Sequence, residues 1–407
     1  MAMRRPLITL VLCCASGAAQ NPPPSLTTIY TFTGGSDGSG PGPLTISAGG
    51  VLYGTTASGG ANGYGTIFSL SPPASPGGSW NYSLLYSFQG GSDGEDPDTR
   101  LTIGAGGVLY GTTGYCSAFS DCVAVVYSLT PPSSLGGQWT FAVIAGFGTE
   151  YVSSVSVSPG GTVYGAAIDS SYCETLFALL PPASPGGSWT QETVKNLGCP
   201  QGGPVVGLAI GAGLTLYGVT LGFISIPAEV FDLEPPATPG GAWTQTVLYQ
   251  FEGVTSGATE FAIGAGGVLY GTVTSNGGAV YSLTPPASPG GAWTQATLLE
   301  FPTSPTLIDG VVPGPLIVGE SGTLFGTTRY GGPKGVGTAY ALKPPTFPGG
   351  AWTEISLHKF TGSDGTYPTG LAIGAGGVLY GTTVAGAAHR GAPCGSSGCG
   401  TVFALAE

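Results

Sequence analysis

The sequence predicts an all-β fold: a seven-bladed β-propeller of four-stranded antiparallel blades, closed by the N-terminal strand completing the last blade. Three observations predict it. A short phrase recurs seven times, each recurrence contains strand-length segments in the same order, and the last recurrence lacks its fourth segment. A period of 50 to 60 residues is typical of closed or stacked repeat proteins.

The recurring phrase is an aliphatic residue, an aromatic residue and a glycine. Its copies are Leu52-Tyr53-Gly54, Leu109-Tyr110-Gly111, Val163-Tyr164-Gly165, Leu216-Tyr217-Gly218, Leu269-Tyr270-Gly271, Leu324-Phe325-Gly326 and Leu379-Tyr380-Gly381. The intervals between the aromatic residues are 57, 54, 53, 53, 55 and 55 residues. Because the repeat is uninterrupted, residues 20–407 are interpreted as one propeller domain rather than two or three domains.

Each repeat contains four segments, here named A, B, C and D. In the second repeat they are residues 101–104, 108–113, 123–129 and 139–147. Short runs rich in Val, Ile, Thr and aromatic residues, separated by glycine turns, indicate an antiparallel meander. Radial repetition of four-stranded meanders is the propeller design. Small residues in segment A and large ones in segment D fit blades that splay outward from an axis.

The seventh repeat ends after its C segment. The six D segments present each begin with a tryptophan that is followed eight residues later by Phe or Leu, as in Trp80 and Phe88. Residues 25–32 at the N-terminus resemble such a segment, and the following Gly34-Gly35-Ser36-Asp37-Gly38 matches Gly90-Gly91-Ser92-Asp93-Gly94. The N-terminal strand is therefore expected to complete blade seven, which removes an open sheet edge.

Composition and the N-terminus indicate an exported protein. Hydrophobic residues make up 42% of the chain and charged residues 7%, the reverse of a disordered balance. Arg4 and Arg5, the apolar run 7–15 and small residues at 17–19 predict a signal peptide over residues 1–19. A lipid anchor on Cys13 is disfavoured because Leu12 precedes it. The expected location is secreted or extracytoplasmic, in the periplasm or at the cell surface.

Net charge and hydropathy bear on partners. The net charge is −12, which disfavours nucleic acid and anionic membranes as partners. The uncharged stretch 201–228 is long enough for a membrane span. Its Tyr217 lies in register with the other repeats, so two buried strands and a loop are expected there instead. We expect a monomer without a transmembrane segment.

The cysteines of the mature chain are even in number. In an exported protein this predicts disulfides rather than a metal site. The spacing favours pairing of Cys116 with Cys122 and of Cys394 with Cys399, which leaves Cys173 and Cys199. These spacings, without nearby histidines, are poor for zinc.

Several elements together resemble the GloVer tandem repeat family. They are the Leu-Tyr-Gly-Thr-Thr phrase, a third strand such as Gly65-Thr66-Ile67-Phe68 or Gly400-Thr401-Val402-Phe403, and the Gly-Ser-Asp-Gly link after segment D. The resemblance covers residues 26–407. It implies a secreted bacterial protein of undetermined function, and it implies no enzyme activity and no catalytic residues. Members often carry a C-terminal sorting anchor, and this chain shows none.

Loop lengths indicate which face of the propeller has a function. The link from C to D always spans eight residues from its first proline to its tryptophan. From the B-strand aromatic to that proline, the counts are 19, 21, 17, 18, 15 and 19. The variable B–C and D–A loops emerge at the same end of an antiparallel blade. Binding on a rigid scaffold usually lies in such loops, although tolerated insertions would look the same.

Candidate binding residues are the charged side chains of that face. The acidic ones precede glycine or lie in the cluster 93–98, where turn geometry or calcium binding would also explain them. The basic ones lie in the B–C loops of blades six and seven, where an anionic ligand could dock. The candidates are Asp93, Asp96, Asp309, Arg329, Lys334, Asp364, His389 and Arg390.

The leading hypothesis is a secreted, non-catalytic scaffold that binds a glycan, peptide or cell-surface partner through its variable loops. The chain has only two histidines, and its matches to the nucleophile elbow recur between strands, so no catalytic residue, cofactor or metal is expected. One alternative is a carbohydrate-active hydrolase or lyase that uses acidic residues near the axis, because loops from different blades converge there. The other is a purely structural envelope protein.

Overall fold

The protein is a seven-bladed β-propeller, as predicted. The computed structural model describes residues 24–406 except 76, 98, 115–122, 135, 149–150, 154, 170, 172, 185, 199–202, 223–226, 239, 252–260, 289, 304–309, 348, 387–393 and 396. Seven antiparallel sheets each have the order A-B-C-D, and the A strands of blades 1, 3 and 6 are split in two. Besides strands, the described residues contain seven single-turn 3-10 helices.

The A strands line the axis. They are Ser39–Pro41 with Thr45–Ile46, Thr102–Ile103, Tyr151–Val152 with Ser156–Val157, Val205–Ile210, Ala262–Ile263, Val311–Pro313 with Ile317–Val318, and Thr366–Ile373. The B strands are Leu52–Ser58, Leu109–Thr112, Val163–Ile168, Leu216–Thr220, Leu269–Val273, Leu324–Tyr330 and Leu379–Ala385.

The C strands follow the variable loops. They are Thr66–Ser71, Val125–Thr130, Glu174–Leu180, Ala228–Glu234, Ala279–Thr284, Thr338–Lys343 and Thr401–Ala406. The outermost D strands are Asn81–Ser87, Thr140–Gly146, Thr190–Gly198, Thr244–Phe251, Thr294–Glu300, Thr353–Lys359 and, for blade 7, Ser25–Thr31. The stretch 201–228 contains the two strands expected there, and no helix in the described residues is long and apolar enough to cross a membrane.

The N-terminal strand closes the ring, which confirms the prediction. Leu26 pairs with Leu405 and Thr28 with Phe403 in antiparallel register. Beyond the strand, the Phe32 amide donates to the Gly400 carbonyl at 3.1 Å, and the Phe32 side chain is fully buried. The two ends of the chain are therefore joined within one sheet.

The aliphatic residue and the glycine of the repeated phrase shape the core of each blade. Leu52, like its counterparts in the other blades, is buried between sheets. A Cβ built on Gly54 would lie 2.6 Å from the Phe68 ring of strand C, and all seven phrase glycines face such a ring at 2.1–2.6 Å. No side chain other than hydrogen fits there, so the glycine is required by the aromatic residue on the neighbouring strand.

The aromatic residue of the phrase belongs to the seam between blades. Tyr53 of blade 1 meets Trp139 of blade 2 edge-on, with ring centroids 5.9 Å apart. Equivalent pairs occur at six seams, with centroid distances of 5.4–6.2 Å. Each tryptophan also shares a hydrophobic cluster with the last aliphatic residue of its own blade's A strand, as Trp139 does with Ile103.

Threonines that follow the phrase hold strands and blades together. The first threonine crosses a seam, as where Thr382 Oγ1 donates to the Gly42 carbonyl of the next blade at 2.8 Å. The second stays within its blade, as where the Thr383 and Thr401 hydroxyls lie 2.8 Å apart. In blades that carry both threonines, such as blade 7, the residues after the phrase thus make contacts on both sides of the B strand.

Three of the six predicted disulfide cysteines lie in the described residues. Cys394 and Cys399 are bonded to each other, with Cα atoms 4.9 Å apart, as predicted. Cys173 is also disulfide-bonded. Cys116, Cys122 and Cys199 lie outside the described residues, as does the predicted signal peptide.

Candidate functional site

Aspartates of the Gly-Ser-Asp-Gly links close the D–A loops. Asp93 accepts hydrogen bonds from the Tyr86 hydroxyl at 2.8 Å and the Gln89 amide at 2.9 Å. Asp37 does the same in blade 7, where Tyr30 and Thr33 donate to it. Both aspartates are more than 90% buried. Their geometry fits loop closure by a buried carboxylate.

Asp364 closes the corresponding loop after blade 6 with a histidine in place of the tyrosine. Its Oδ2 lies 2.8 Å from His358 Nε2, and its Oδ1 accepts from the Thr361 amide at 2.8 Å. Burial by itself would raise the pKa of Asp364, but the hydrogen bonds from His358 and Thr361 outweigh it and lower the pKa to about 2. The His358 ring packs against Phe360, so this histidine serves the scaffold.

A cavity of about 530 Å³ opens where the axis meets the variable-loop face. Blades 1, 2, 5, 6 and 7 all contribute to it, which only a central position allows. Its lining consists of Gly40, Pro41, Gly42, Pro43, Ala57, Asp96, Thr274, Val312, Pro313, Gly314, Pro315, Arg329, Tyr367, Pro368, Thr369 and Val384. The volume is within the range of small-molecule sites.

Four blades present the cavity with a residue in the left-handed backbone region, each directly before a proline. The positive φ angles are 65° at Gly40, 55° at Asp96, 60° at Val312 and 57° at Tyr367. Such angles are costly for residues with a Cβ, on the order of 1–3 kcal/mol each, and a β-branched residue is a clear outlier. Strain of this kind concentrates at binding and catalytic sites, so the cavity is the candidate functional site.

The prolines of these turns lock neighbouring blades together. A Cβ built on Gly65, before strand C of blade 1, would lie 2.6 Å from Pro97 of blade 2. Gly278 with Pro313, Gly337 with Pro368, and Gly400 with Pro41 repeat the contact at 2.2–2.6 Å. The left-handed residue before each proline is therefore held by the packing of the seam, which supports its strained backbone.

One wall of the cavity carries a guanidinium between two tyrosines. The Arg329 Cζ lies 5.9 Å from the Tyr330 ring centroid and 5.8 Å from that of Tyr367. The two rings meet edge-on at 5.5 Å. Arg329 and Tyr330 are exposed, and Tyr367 is half-buried. The arrangement is a preformed cation–π cluster that holds the guanidinium at the cavity.

A second guanidinium lies beside the cavity within the channel. Arg100 of blade 2 donates from Nη1 to the Leu44 carbonyl of blade 1 at 2.5 Å and to the Leu371 carbonyl of blade 7 at 3.4 Å. Room for it exists because Gly370 has no side chain: a Cβ there would lie 2.8 Å from Arg100 Nη2. Arg100 thus joins three consecutive blades, 7, 1 and 2, and adds positive charge there.

The seam between blades 3 and 4 departs from the glycine–proline pattern. Register places Glu174 where four other seams have glycine and Val205 where those four seams have proline. The Val205 amide, which proline would lack, donates to Glu174 Oε1 at 2.7 Å. Burial raises the pKa of Glu174 to about 7, although this hydrogen bond acts in the opposite direction. A cavity of about 260 Å³ adjoins Glu174 and Glu229.

Only part of the predicted site converges. Asp96 and Arg329, from blades 2 and 6, line the central cavity, whereas Asp93 and Asp364 are engaged in D–A loops. Lys334 is exposed in the B–C loop of blade 6. Asp309, His389 and Arg390 lie outside the described residues. Among the residues the structure describes, no group of three or more His, Cys, Asp or Glu could hold a metal ion.

Sequence reasoning missed Tyr367, Arg100 and Glu174. A signal for Tyr367 was present: Gly-x-x-Pro recurs in Gly38–Pro41, Gly94–Pro97, Gly310–Pro313 and Gly365–Pro368. The residue before each of these prolines faces the cavity.

Comparisons with known proteins support the fold and leave the function open. No family model matches the chain, and no curated protein matches it. A crystal structure from Lactobacillus plantarum superposes with a TM-score of 0.59 at 13% identity, over 88% of this chain and 99% of that one. Proteins provisionally described as 6-phosphogluconolactonases are similar as well, from Bacteroides fragilis (TM-score 0.54, 14% identity, 83% of this chain and 87% of that one) and Bacteroides uniformis (0.51, 17%, 77% and 83%).

Proposed function

We propose that the chain is an exported, non-catalytic propeller that binds a glycan in the cavity at the mouth of its central channel. The observation that carries the proposal is the cluster of Arg329, Tyr330 and Tyr367 at a ligand-sized cavity. Tyrosine rings offer flat apolar faces for the C–H faces of a sugar, while their hydroxyls and the guanidinium form hydrogen bonds with its hydroxyl groups.

Rigidity of the lining supports binding over a moving catalytic loop. Prolines occupy five of the lining positions: Pro41, Pro43, Pro313, Pro315 and Pro368. A preformed site loses little conformational freedom when the ligand enters, which favours affinity. Asp96 adds a carboxylate to the cavity as an acceptor for sugar hydroxyls.

Export is part of the proposal. The Cys394–Cys399 disulfide suits an oxidising compartment, and residues 1–19 have the pattern of a signal peptide. We also propose that the chain is related to the GloVer repeat family, which it resembles in sequence. We expect the partner to be extracellular and the protein to act as a monomer.

A sugar-directed hydrolase or lactonase is the second candidate. It is favoured by the two structural neighbours that are provisionally described as 6-phosphogluconolactonases. Glycoside hydrolysis uses two facing carboxylates, and Asp96 is the carboxylate among the described lining residues of the central cavity. Asp93 and Asp364 hold their loops. A purely structural envelope role would require no ligand at the cavity.

The test is a glycan array followed by titration calorimetry with the protein produced from residue 20. Arg329→Ala is expected to weaken binding about tenfold or more, because it removes the cation of the cluster. Tyr367→Gly should do likewise without straining the backbone, since Gly40 holds the same position in blade 1. Lys334→Ala is the matched control: an exposed basic residue of the same blade, outside the cavity lining, expected to leave affinity within about twofold.

Turnover assays separate the candidates. The ligands found on the array and the lactones of gluconate and 6-phosphogluconate are incubated with the protein, and products are separated by chromatography. Binding that needs Arg329 and leaves the ligand intact supports the proposal. Released product that is lost with Asp96→Asn establishes the enzyme instead, and an array without any bound glycan refutes glycan binding.

A further inference from the structure

One of the seven seams lacks its tryptophan. At the other six, an indole ring packs between the B-strand aromatic of one blade and the last aliphatic residue of the next blade's A strand, as in the set Tyr380, Ile46 and Trp80. Between blades 6 and 7 the corresponding aromatic and aliphatic residues are Phe325 and Ile373, and their cluster contains no tryptophan among the described residues.

The reason is the closure of the ring. Strand D of blade 7 is the N-terminal strand, and its register places Ser25 where blade 1 has Asn81. The position that holds Trp80 in blade 1 is therefore occupied by Pro24, eight residues before Phe32 as Trp80 is before Phe88. Proline cannot reach across the seam as an indole does.

A cavity of about 370 Å³ lies at this position. Phe325 and Ile373, the two residues that would contact the missing indole, both line it. The rest of its lining consists of Gly319, Glu320, Ser321, Thr323, Lys343, Gly374, Ala375, Gly376 and Gly377. We name this cavity the vacant tryptophan niche.

The niche opens to solvent for a second structural reason. In five other blades the first proline of the C–D link covers the A–B turn, and a Cβ on Gly50, for example, would lie 3.7 Å from Pro72. A Cβ on Gly377 would meet nothing within 4 Å among the described residues. Among the described residues, nothing fills or covers the niche.

We propose that the vacant tryptophan niche is a binding site for a small planar aromatic molecule of the indole class. The six filled seams show which chemistry fits: an indole that meets an aromatic ring edge-on, in a cluster that also contains an aliphatic side chain. An apolar ring that enters the niche and packs against Phe325 and Ile373 gains dispersion contacts and leaves water. The site lies at the uniform end of the propeller, opposite the glycan cavity, and does not depend on it.

The probe is 5-fluoroindole, followed by fluorine NMR, with intermolecular NOEs to locate it. The protein is expected to bind one equivalent, with a dissociation constant on the order of 1 mM, and to show NOEs to Phe325 and Ile373. A tenfold excess over that constant should raise the melting temperature by about 2 °C.

Two variants change the number of niches in opposite directions. Pro24→Trp supplies the missing indole and should abolish saturable binding. Trp139→Ala empties the equivalent position between blades 1 and 2 and should raise the stoichiometry from one to two. The NOEs need no variant, so the proposal stays testable if either variant fails to fold. Absence of saturable binding, NOEs to residues elsewhere, or unchanged binding by Pro24→Trp would overturn it.

Discussion

Replacement of Tyr340 by phenylalanine is predicted to stabilise the propeller. Tyr340 and Tyr281 are fully buried, and within the described residues their hydroxyls have no hydrogen-bond partner. Each hydroxyl lies over a phrase glycine: a Cβ on Gly326 would be 2.6 Å from Tyr340 Oη. The same burial raises the pKa of Tyr340. Phe68, Phe177, Phe231 and Phe403 fill this position in four other blades.

The magnitude follows from the cost of a buried hydroxyl without a partner, about 1–3 kcal/mol. Taking the lower end, Tyr340→Phe should raise the free energy of unfolding by about 1 kcal/mol. For a domain of this length the entropy of unfolding makes that about 1–1.5 °C in melting temperature. The measurement is the urea midpoint at constant m-value, which resolves a change of this size.

Phe403→Tyr is the matched reverse substitution, because the Phe403 ring lies over Gly381 as Tyr340 lies over Gly326. It should lower the free energy of unfolding by about 1–3 kcal/mol. Tyr281→Phe should repeat the gain of Tyr340→Phe. A loss of 1 kcal/mol or more in Tyr340→Phe would refute the reasoning, since it would mean that the hydroxyl has a partner such as a buried water.

Three further predictions concern ionisation and closure. The pKa of Asp364 is lowered to about 2 in the folded protein. Its contribution to the free energy of unfolding is therefore present above the unfolded pKa, near 4, and is lost as the pH falls from 4 to 2. Asp364→Asn should lower the urea midpoint at pH 7 and should make that midpoint less dependent on pH in acid. The pKa of Glu174 is raised to about 7, so the free energy of unfolding should fall as the pH rises from about 4.5 to 7. Glu174→Gln, whose side-chain oxygen still accepts the hydrogen bond from the Val205 amide, should remove this pH dependence. The measurement is the urea midpoint over this pH range. Deletion of residues 26–32 should abolish cooperative thermal unfolding in calorimetry, because it exposes the C strand of blade 7; an unchanged melting temperature would contradict the closed ring.

The sequence was sufficient for the architecture because the residues of the repeated phrase have the same kinds of neighbour in nearly every blade. The glycine of Leu52-Tyr53-Gly54 must leave room for a ring on strand C, and its tyrosine must meet a tryptophan of the next blade. Such constraints repeat at a fixed period and are visible without a structure. The N-terminal strand could be placed because it shares the D-strand spacing.

The candidate site could be predicted only in part, because it depends on which blades face each other across the axis. Asp96 and Arg329 were candidates, but their convergence on one cavity follows from ring closure and from the left-handed turn at Asp96. The sequence does not distinguish Tyr367 from other loop tyrosines, because only the backbone conformation places its ring beside Arg329. The role of Glu174 depends on the hydrogen bond that it accepts from the Val205 amide of the next repeat. The pattern within one repeat does not show which residues of two neighbouring repeats meet.

The exchange of glycine and proline for Glu174 and Val205 has a consequence for recombination among the repeats. Blades joined by glycine–proline seams are interchangeable units, since the contact is the same on both sides. Blade 3 is not interchangeable in this way. A following blade with proline at the Val205 position would place a nitrogen without hydrogen against the buried Glu174 carboxylate. Chimeras and circular permutants of this propeller should therefore keep blades 3 and 4 as one inherited pair.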